Sequence, residues 1–385
     1  MSRWAWLLAV VLAYLGLELW LFDSAFIFHG DHERDLRYAT LWVGSGVWPE
    51  SSPSISPLPF ELGPLLYFFL APAVAISPDP FAVRVWLLVL ASVGVTLFGW
   101  LLAGRMRWEA AVFGVFGLVS STFAYELSRQ LWHSSLLILP TAGLLFATTR
   151  MLEDDARARR WGLLAAGLAA VCLQLHMAAT TFVAVVAGAA LLRRKVLGAR
   201  GLGLGVLVFV LCWLPMLVGI IQGINGGALD TMGRHSGRWS PVLPLAFFVD
   251  NVHTIWGDNL GPLLTWPWVA LIGLGAGRAV AQKGPLPRVL LAVLLLGFVV
   301  EGLLLGNQPR AHRYMHANLM AAFGLGAWGL DLALIRIPKL RWALPLIGLV
   351  VFVEAVVSEV PHAGERGWMN AREQRAVAGL IRNMG

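Results

Sequence analysis

Charge is what this chain lacks. Acidic and basic residues make up 13% of its 385 residues, about half of the roughly 25% found in an ordinary soluble domain. A water-soluble globule of this length needs more polar surface than that, so the soluble class is excluded. Cysteine is nearly absent. Cys172 and Cys212 both fall inside apolar segments at no metal-ligand spacing, which argues against a disulfide framework or a thiolate metal site. The sequence also shows no internal repeat, no low-complexity tract and no soluble domain.

What stands in place of charge is apolar surface. Hydrophobic residues reach 58% and the mean hydropathy is +0.72, the signature of a polytopic membrane protein. The 18 Trp suit membrane–water interfaces, where an apolar ring carries one polar N–H. The net charge of +7 does not point to nucleic acid. Its basic residues lie in short clusters between apolar segments, which is how membrane orientation is written.

Runs of about 20 apolar residues cross a bilayer as helices. They are predicted at roughly 4–28, 81–104, 109–126, 131–149, 201–221, 263–280, 289–306, 315–334 and 342–358. The first is too long for a signal segment and lacks a convincing cleavage site, so a retained helix is expected. Two regions are less simple. Leu62–Ser77 is short, bounded by prolines on both sides and interrupted by Pro72. Trp161–Leu192 is too long for one span and carries Gln174-Leu175-His176 at its midpoint. With the N-terminus cytoplasmic, the clusters at Arg105/Arg107, Arg150–Arg160, Arg193–Arg200, Arg278–Arg288 and Arg336–Arg341 share its side under two conditions. Leu62–Ser77 must be an embedded half-helix, and Trp161–Leu192 must be a hairpin. The alternative, with Leu62–Ser77 spanning, puts Arg105 and Arg107 outside.

The expectation is an all-α bundle of about eleven transmembrane helices plus the embedded half-helix, occupying 1–358. A first outer loop covers 29–80 and a second 222–262. The tail 359–385 has the pattern of a short amphipathic helix at the interface.

The scarce polar residues collect at the outer side of this topology. Seven ionisable side chains fall within the nine residues from His29 to Arg37. A carboxylate among Asp31, Glu33 and Asp35 can act as general base on an acceptor. Arg34 and Arg37 can hold a departing phosphate. The plainer account is a solvated helix start whose charges pair among themselves. Glu61, ahead of Gly63-Pro64-Leu65-Leu66-Tyr67, suits a metal or an acceptor, or merely a helix N-terminus. Ser128-Arg129-Gln130-Leu131-Trp132 reads as an interfacial turn or as part of the same site. His176 sits at the helical break, where a histidine needs a cavity or a partner. Arg310-Ala311-His312-Arg313 could hold a phosphate head group or serve as an anchor that snorkels. Glu301 is a carboxylate within a span. The 222–262 loop matches no metal motif and suits a segment that orders over substrate.

Taken in order, these pieces resemble the GT-C superfamily of polytopic glycosyltransferases. The likeness is to the branch with the protein O-mannosyltransferases, the lipid A aminoarabinose transferases and bacterial proteins of the Rgt type. It rests on Gly30-Asp31-His32-Glu33-Arg34-Asp35-Leu36 after the first span, Gly63-Pro64-Leu65-Leu66-Tyr67 with Ala71-Pro72, and Pro80-Phe81-Ala82-Val83-Arg84. Ser128-Arg129 with Leu131-Trp132 and Gln174-Leu175-His176 complete the set. It covers about the first 200 residues by motif and the remainder by hydropathy.

The resemblance implies an inverting transferase that takes a sugar from a polyprenyl-phosphate donor at the outer face of the plasma membrane. The acceptor would be a lipid, a glycan or a protein. Asp31 would be the catalytic carboxylate. Arg34, Arg37, Arg129, Arg310 and Arg313 would be candidates for the donor phosphate, and Glu33, Glu61 and His176 for positioning an acceptor or a metal. The chain departs from relatives with an Asp-Glu pair, since its Glu is displaced to Glu33 behind His32. No soluble C-terminal domain of the kind some relatives carry is discernible. A divalent metal stays open, because no clear ligand set stands out. The rival class is a transporter or lipid flippase. That class predicts polar residues near the bilayer midplane and internal symmetry.

Overall fold

The computed structural model describes residues 3–20, 30–47, 63–120, 133–176, 179–225, 257–282, 284–305, 316–344, 346–350 and 353. Among them are twelve α-helices and no strand. In chain order they are α1 (Arg3–Trp20), α2 (Gly30–Ser45), α3 (Leu65–Ile76), α4 (Pro80–Ala103), α5 (Trp108–Ser120) and α6 (Ile138–Glu153). Then follow α7 (Ala158–Leu175), α8 (Thr180–Leu192), α9 (Arg194–Asn225), α10 (Gly257–Ala281), α11 (Pro285–Leu305) and α12 (His316–Arg336). Residues 345, 351, 352 and 354–358 of the predicted 342–358 span, residues 226–256 of the second loop and the 359–385 tail lie outside the described residues.

The helices start and stop where local chemistry requires it. Asp79 caps α4, its Oδ1 accepting from the Phe81 N–H at 2.9 Å, and Pro80 takes the first helical position, where no N–H is needed. The 24 residues of α4 reach ~36 Å at 1.5 Å per residue, enough to cross a bilayer. By contrast the 12 residues of α3 reach only ~18 Å, too short for a hydrocarbon core of about 30 Å. Trp161–Leu192 is indeed two helices, α7 and α8, parted at His176. The run Arg194–Asn225 breaks at Gly198, whose φ of 66° only glycine adopts without strain. The break leaves the Leu197 carbonyl without its helical donor, and Arg159 Nε supplies one at 3.0 Å.

By length and composition, four described stretches can cross a membrane: Pro80–Ala103, Ser135–Glu153, Arg194–Leu217 and Asn318–Arg336. Shorter apolar helices accompany them. The distribution of surface fits a multi-pass membrane protein. Large apolar side chains such as Val206, Leu207, Leu211, Leu295 and Val299 face outward, whereas buried polar groups lie inside the bundle.

At the centre runs α12, which packs on α5, α10 and α11. Where α12 crosses α10 the backbones nearly touch. A Cβ on Gly275 would overlap the Leu325 carbonyl, and one on Gly329 would overlap the Leu271 carbonyl. In lipid, where helices gain no hydrophobic drive to associate, such small-residue contact supplies the van der Waals attraction.

One end of the bundle collects the basic residues. Arg105, in the turn after α4, clamps Glu153 at the end of α6 with bonds of 2.9 and 2.6 Å. Asp331, buried in the last turns of α12, accepts from the Arg107 N–H at 3.0 Å and from Arg278 Nη1 at 2.7 Å. Arg278 also donates to the Trp328 carbonyl and stands 5.0 Å over its ring. Arg193 pairs with Asp155. Trp6 of α1 stacks on Trp108 of α5 at this same end.

Asp331→Ala leaves two guanidinium groups without their shared carboxylate and is expected to cost about 3 kcal/mol. Thermal unfolding in detergent checks this, against Glu153→Ala at a more exposed pair as the milder comparison.

Candidate functional site

The opposite end of the bundle is where α1, α7 and α11 finish and α2, α3, α4 and α12 begin. Its deepest charged feature joins α1 to α4. Glu18, in the last turn of α1, and Arg84, in the second turn of α4, are both buried, with Oε2 and Nη2 3.7 Å apart. Tyr14, one turn earlier on α1, is buried beside them. A lone charge at this depth would be prohibitive, and the opposite charge offsets much of that cost.

At the same end lies α2, packed on α3 and forming the helical part of what sequence alone suggests as a loop. Its packed face is His32, Asp35, Leu36 and Ala39, spaced i, i+3, i+4 and i+7. Glu33 and Arg37 are exposed on the other side. Half-buried Arg34 reaches the buried Asp35 with Nε at 3.0 Å and Nη2 at 2.9 Å from the same oxygen. That pairing is the local neutralisation the charge run allows. Asp31 is the second residue of α2, one turn ahead of Asp35.

The neighbouring α3 fixes α2 through aromatic edges. Tyr38 meets Tyr67 at 6.0 Å between ring centroids, and Trp42 meets Phe68 at 4.7 Å. In turn Trp86 of α4 donates its indole N–H to the Phe69 carbonyl at 2.8 Å. At the head of α3, Gly63 lies so close to Gln174 that any Cβ would overlap the Gln174 side chain. The Gln174 amide donates onward to the Cys212 carbonyl in α9. Gln174, at the break, thus ties α3, α7 and α9 together. Two residues further on, His176 closes α7 in extended backbone, its side chain buried. On α12, buried Asn318 packs so tightly on α11 that a Cβ at Gly297 would overlap its amide.

The structure therefore brings the first turns of α2 and the end of α7, with His176, to the same end of the bundle through α3. Glu61, Arg129, Arg310 and Arg313 lie outside the described residues, and Glu301 falls within α11. Among the described residues no three His, Cys, Asp or Glu side chains group in a way that could hold a metal.

Three features escaped sequence reasoning. Glu18 is a single carboxylate in an apolar span, a signal that was present. Arg84 entered only as part of a motif, although an arginine inside a span demands a partner. The inward face of α2 was available from helical spacing, since Leu36 and Ala39 share it with His32 and Asp35.

No family model matches the sequence, and no curated protein matches it. Solved structures do. ArnT from Cupriavidus metallidurans bound to undecaprenyl phosphate aligns with a TM-score of 0.65 at 16% identity, over 99% of this chain and 70% of that one. In its apo state the same protein gives 0.62, with 63% of its length covered. The archaeal oligosaccharyltransferase AglB from Archaeoglobus fulgidus, in complex with an inhibitory peptide and a dolichol-phosphate, gives 0.56 at 13% identity, over 95% of this chain and 56% of that one. The arabinosyltransferase EmbB from Mycobacterium smegmatis gives 0.54 at 14% identity, over 97% of this chain and 40% of that one. All three are GT-C polytopic glycosyltransferases. This chain has the GT-C fold, and it spans between 40% and 70% of the length of these structures.

Two pairs of substitutions test the packing of the site. Gly63→Val should lower thermal stability by about 1–3 kcal/mol through overpacking, and adding Gln174→Ala should restore part of that loss, giving a measurable coupling. Glu18→Gln alone or Arg84→Met alone should cost about 3–5 kcal/mol, while the double replacement costs less than either single one. Additive losses in the double variant would show that the two side chains do not interact.

Proposed function

We propose that the protein is an inverting glycosyltransferase that moves a sugar from a polyprenyl-phosphate-linked donor to a lipid, glycan or protein acceptor at the outer membrane face. One observation carries this reading. In a bundle of GT-C fold, ionisable and polar side chains from α1, α2, α4 and α7 gather at the end where α2 opens with Asp31. The lipid carriers bound by ArnT and AglB support the donor class.

In this mechanism an acceptor hydroxyl or amine attacks the anomeric carbon from the face opposite the phosphate. Asp31 takes the proton of the attacking group as the new glycosidic bond forms. The bond from the anomeric carbon to the phosphate oxygen breaks, and polyprenyl phosphate leaves with the electron pair. Arg34, Arg37, Arg129, Arg310 and Arg313 are assigned to the growing negative charge on that phosphate. Arg34 is already engaged with Asp35, so Arg37, exposed one turn on, is the freer of the two on α2. Glu33, Glu61 and His176 are assigned to the acceptor, or to a divalent metal should one bind.

The decisive experiment is incubation of purified protein in lipid with radiolabelled polyprenyl-phosphate sugars and membrane acceptor extract. Glycosylated acceptor is expected from the wild type. Asp31→Asn should lower transfer about 10²–10⁴-fold without changing the unfolding temperature. Full activity in Asp31→Asn would remove the mechanism. Passage of intact donor across the bilayer without cleavage would favour a flippase.

A further inference from the structure

The other end of the molecule, among the basic residues, holds a cavity away from α2. A cavity of about 850 Å³ opens between α8, the start of α9 and α11. Its walls are apolar: Ala184, Val185 and Gly188 on one side, Val289, Ala292 and Leu296 on the other. Its mouth is cationic, with Arg193, Arg194 and Lys195 at the α8–α9 junction facing Arg288 in the first turn of α11. Among the described residues no acidic side chain lines it. Arg193 has one carboxylate partner, Asp155, while its buried Nε has no hydrogen-bond partner among the described residues. Arg194, Lys195 and Arg288 have no ion pair among the described residues. Leu191 and Leu192, exposed at the rim, extend the apolar wall outward.

We infer that this cavity binds an anionic phospholipid. The phosphate would sit among Arg193, Arg194, Lys195 and Arg288, with an acyl chain laid between α8 and α11. The chemistry selects this occupant on two counts. Four cations around one opening call for an anion, and a basic pocket between membrane helices is a common head-group site. An apolar trough running inward from that opening calls for a chain attached to the anion. The position separates this ligand from a sugar donor. The basic end is the far end of the bundle from Asp31 and His176, so one phosphate cannot serve both. The inference is independent of the transferase reading and stands or falls without it.

Native mass spectrometry of the intact protein in detergent, with equal phosphatidylglycerol and phosphatidylcholine, tests it. The wild type should retain one phosphatidylglycerol with about tenfold preference. Arg194→Gln/Lys195→Gln/Arg288→Gln should lose that preference. Gly188→Trp should lose it too, with every cation intact, because a Cβ at Gly188 meets open space and the indole fills the trough. Thermal unfolding shows whether each variant is folded. If Gly188→Trp is not, Ala184→Trp on the same wall takes its place. Wild-type preference in either the triple or the tryptophan variant overturns the proposal. So does displacement of the lipid by equimolar glycerol phosphate, which would leave the trough without a role. Displacement by equimolar polyprenyl phosphate would reassign the cavity and overturn it as well.

Discussion

The price of holding a charge in an apolar medium governs this structure. An isolated ion moved from water into a low-dielectric interior loses solvation that only an opposite charge or several hydrogen bonds can replace. Three buried carboxylates have such compensation. Glu18 faces Arg84 across α1 and α4, Asp35 holds Arg34 within α2, and Asp331 gathers Arg107 and Arg278. Because compensation is scarce inside a bilayer, these groups sit near the helix ends. The long middle of the bundle is left to apolar contact and glycine.

That middle has its own constraint. With lipid outside and apolar side chains inside, no hydrophobic gain drives one helix against the next. Shape must supply the attraction. Gly275 and Gly329 let α10 and α12 approach backbone to backbone, and Gly114 and Gly117 let α5 receive Ala327 and Phe323 of α12. Gly94 does the same for α4 against the start of α6, where a Cβ would come within 2.7 Å of the Leu139 backbone. The rigidity this creates fixes where the helix ends fall. The polar groups at those ends are held in place by the packing of the spans beneath them.

How much of this could be read from the chain depends on range. The spans were legible because a run of about 20 apolar residues suits a membrane crossing and little else; α4, α10, α11 and α12 begin and end within a few residues of expectation, apart from a longer start to α10. The hairpin of α7 and α8 and the shortness of α3 followed from charge clusters and prolines, which are local signals. The charge run of α2 allowed a solvated helix start, but its buried face is visible only when the i, i+3, i+4 spacing is followed through Leu36 and Ala39. The pairing of Glu18 with Arg84 was not legible. Its members are far apart in sequence, and nothing local to either names the other. The same holds for Gly63 against Gln174, where the glycine answers a side chain more than a hundred residues away. Glu61, Arg129, Arg310 and Arg313 rest on sequence alone.

The two ends of the bundle differ in a way that bears on ligands. At the basic end, Asp331 and Glu153 are each saturated by arginine, so those carboxylates are structural and the surplus charge there is positive. The cavity beside Arg288 sets an apolar trough next to that positive charge. At the opposite end the balance is mixed. Acids and bases alternate within one turn of α2, and the exposed pair Glu33 and Arg37 is not spent on the pairing that holds Asp35. A site that must release a proton from one group and receive a phosphate at another needs both signs within a few ångströms. On α2 the exposed Glu33 and Arg37 supply both signs, whereas at the basic end Glu153, Asp155 and Asp331 are each paired with arginine. The α2 end thus exposes charges of both signs, and the basic end holds a cavity lined by four cations and apolar side chains.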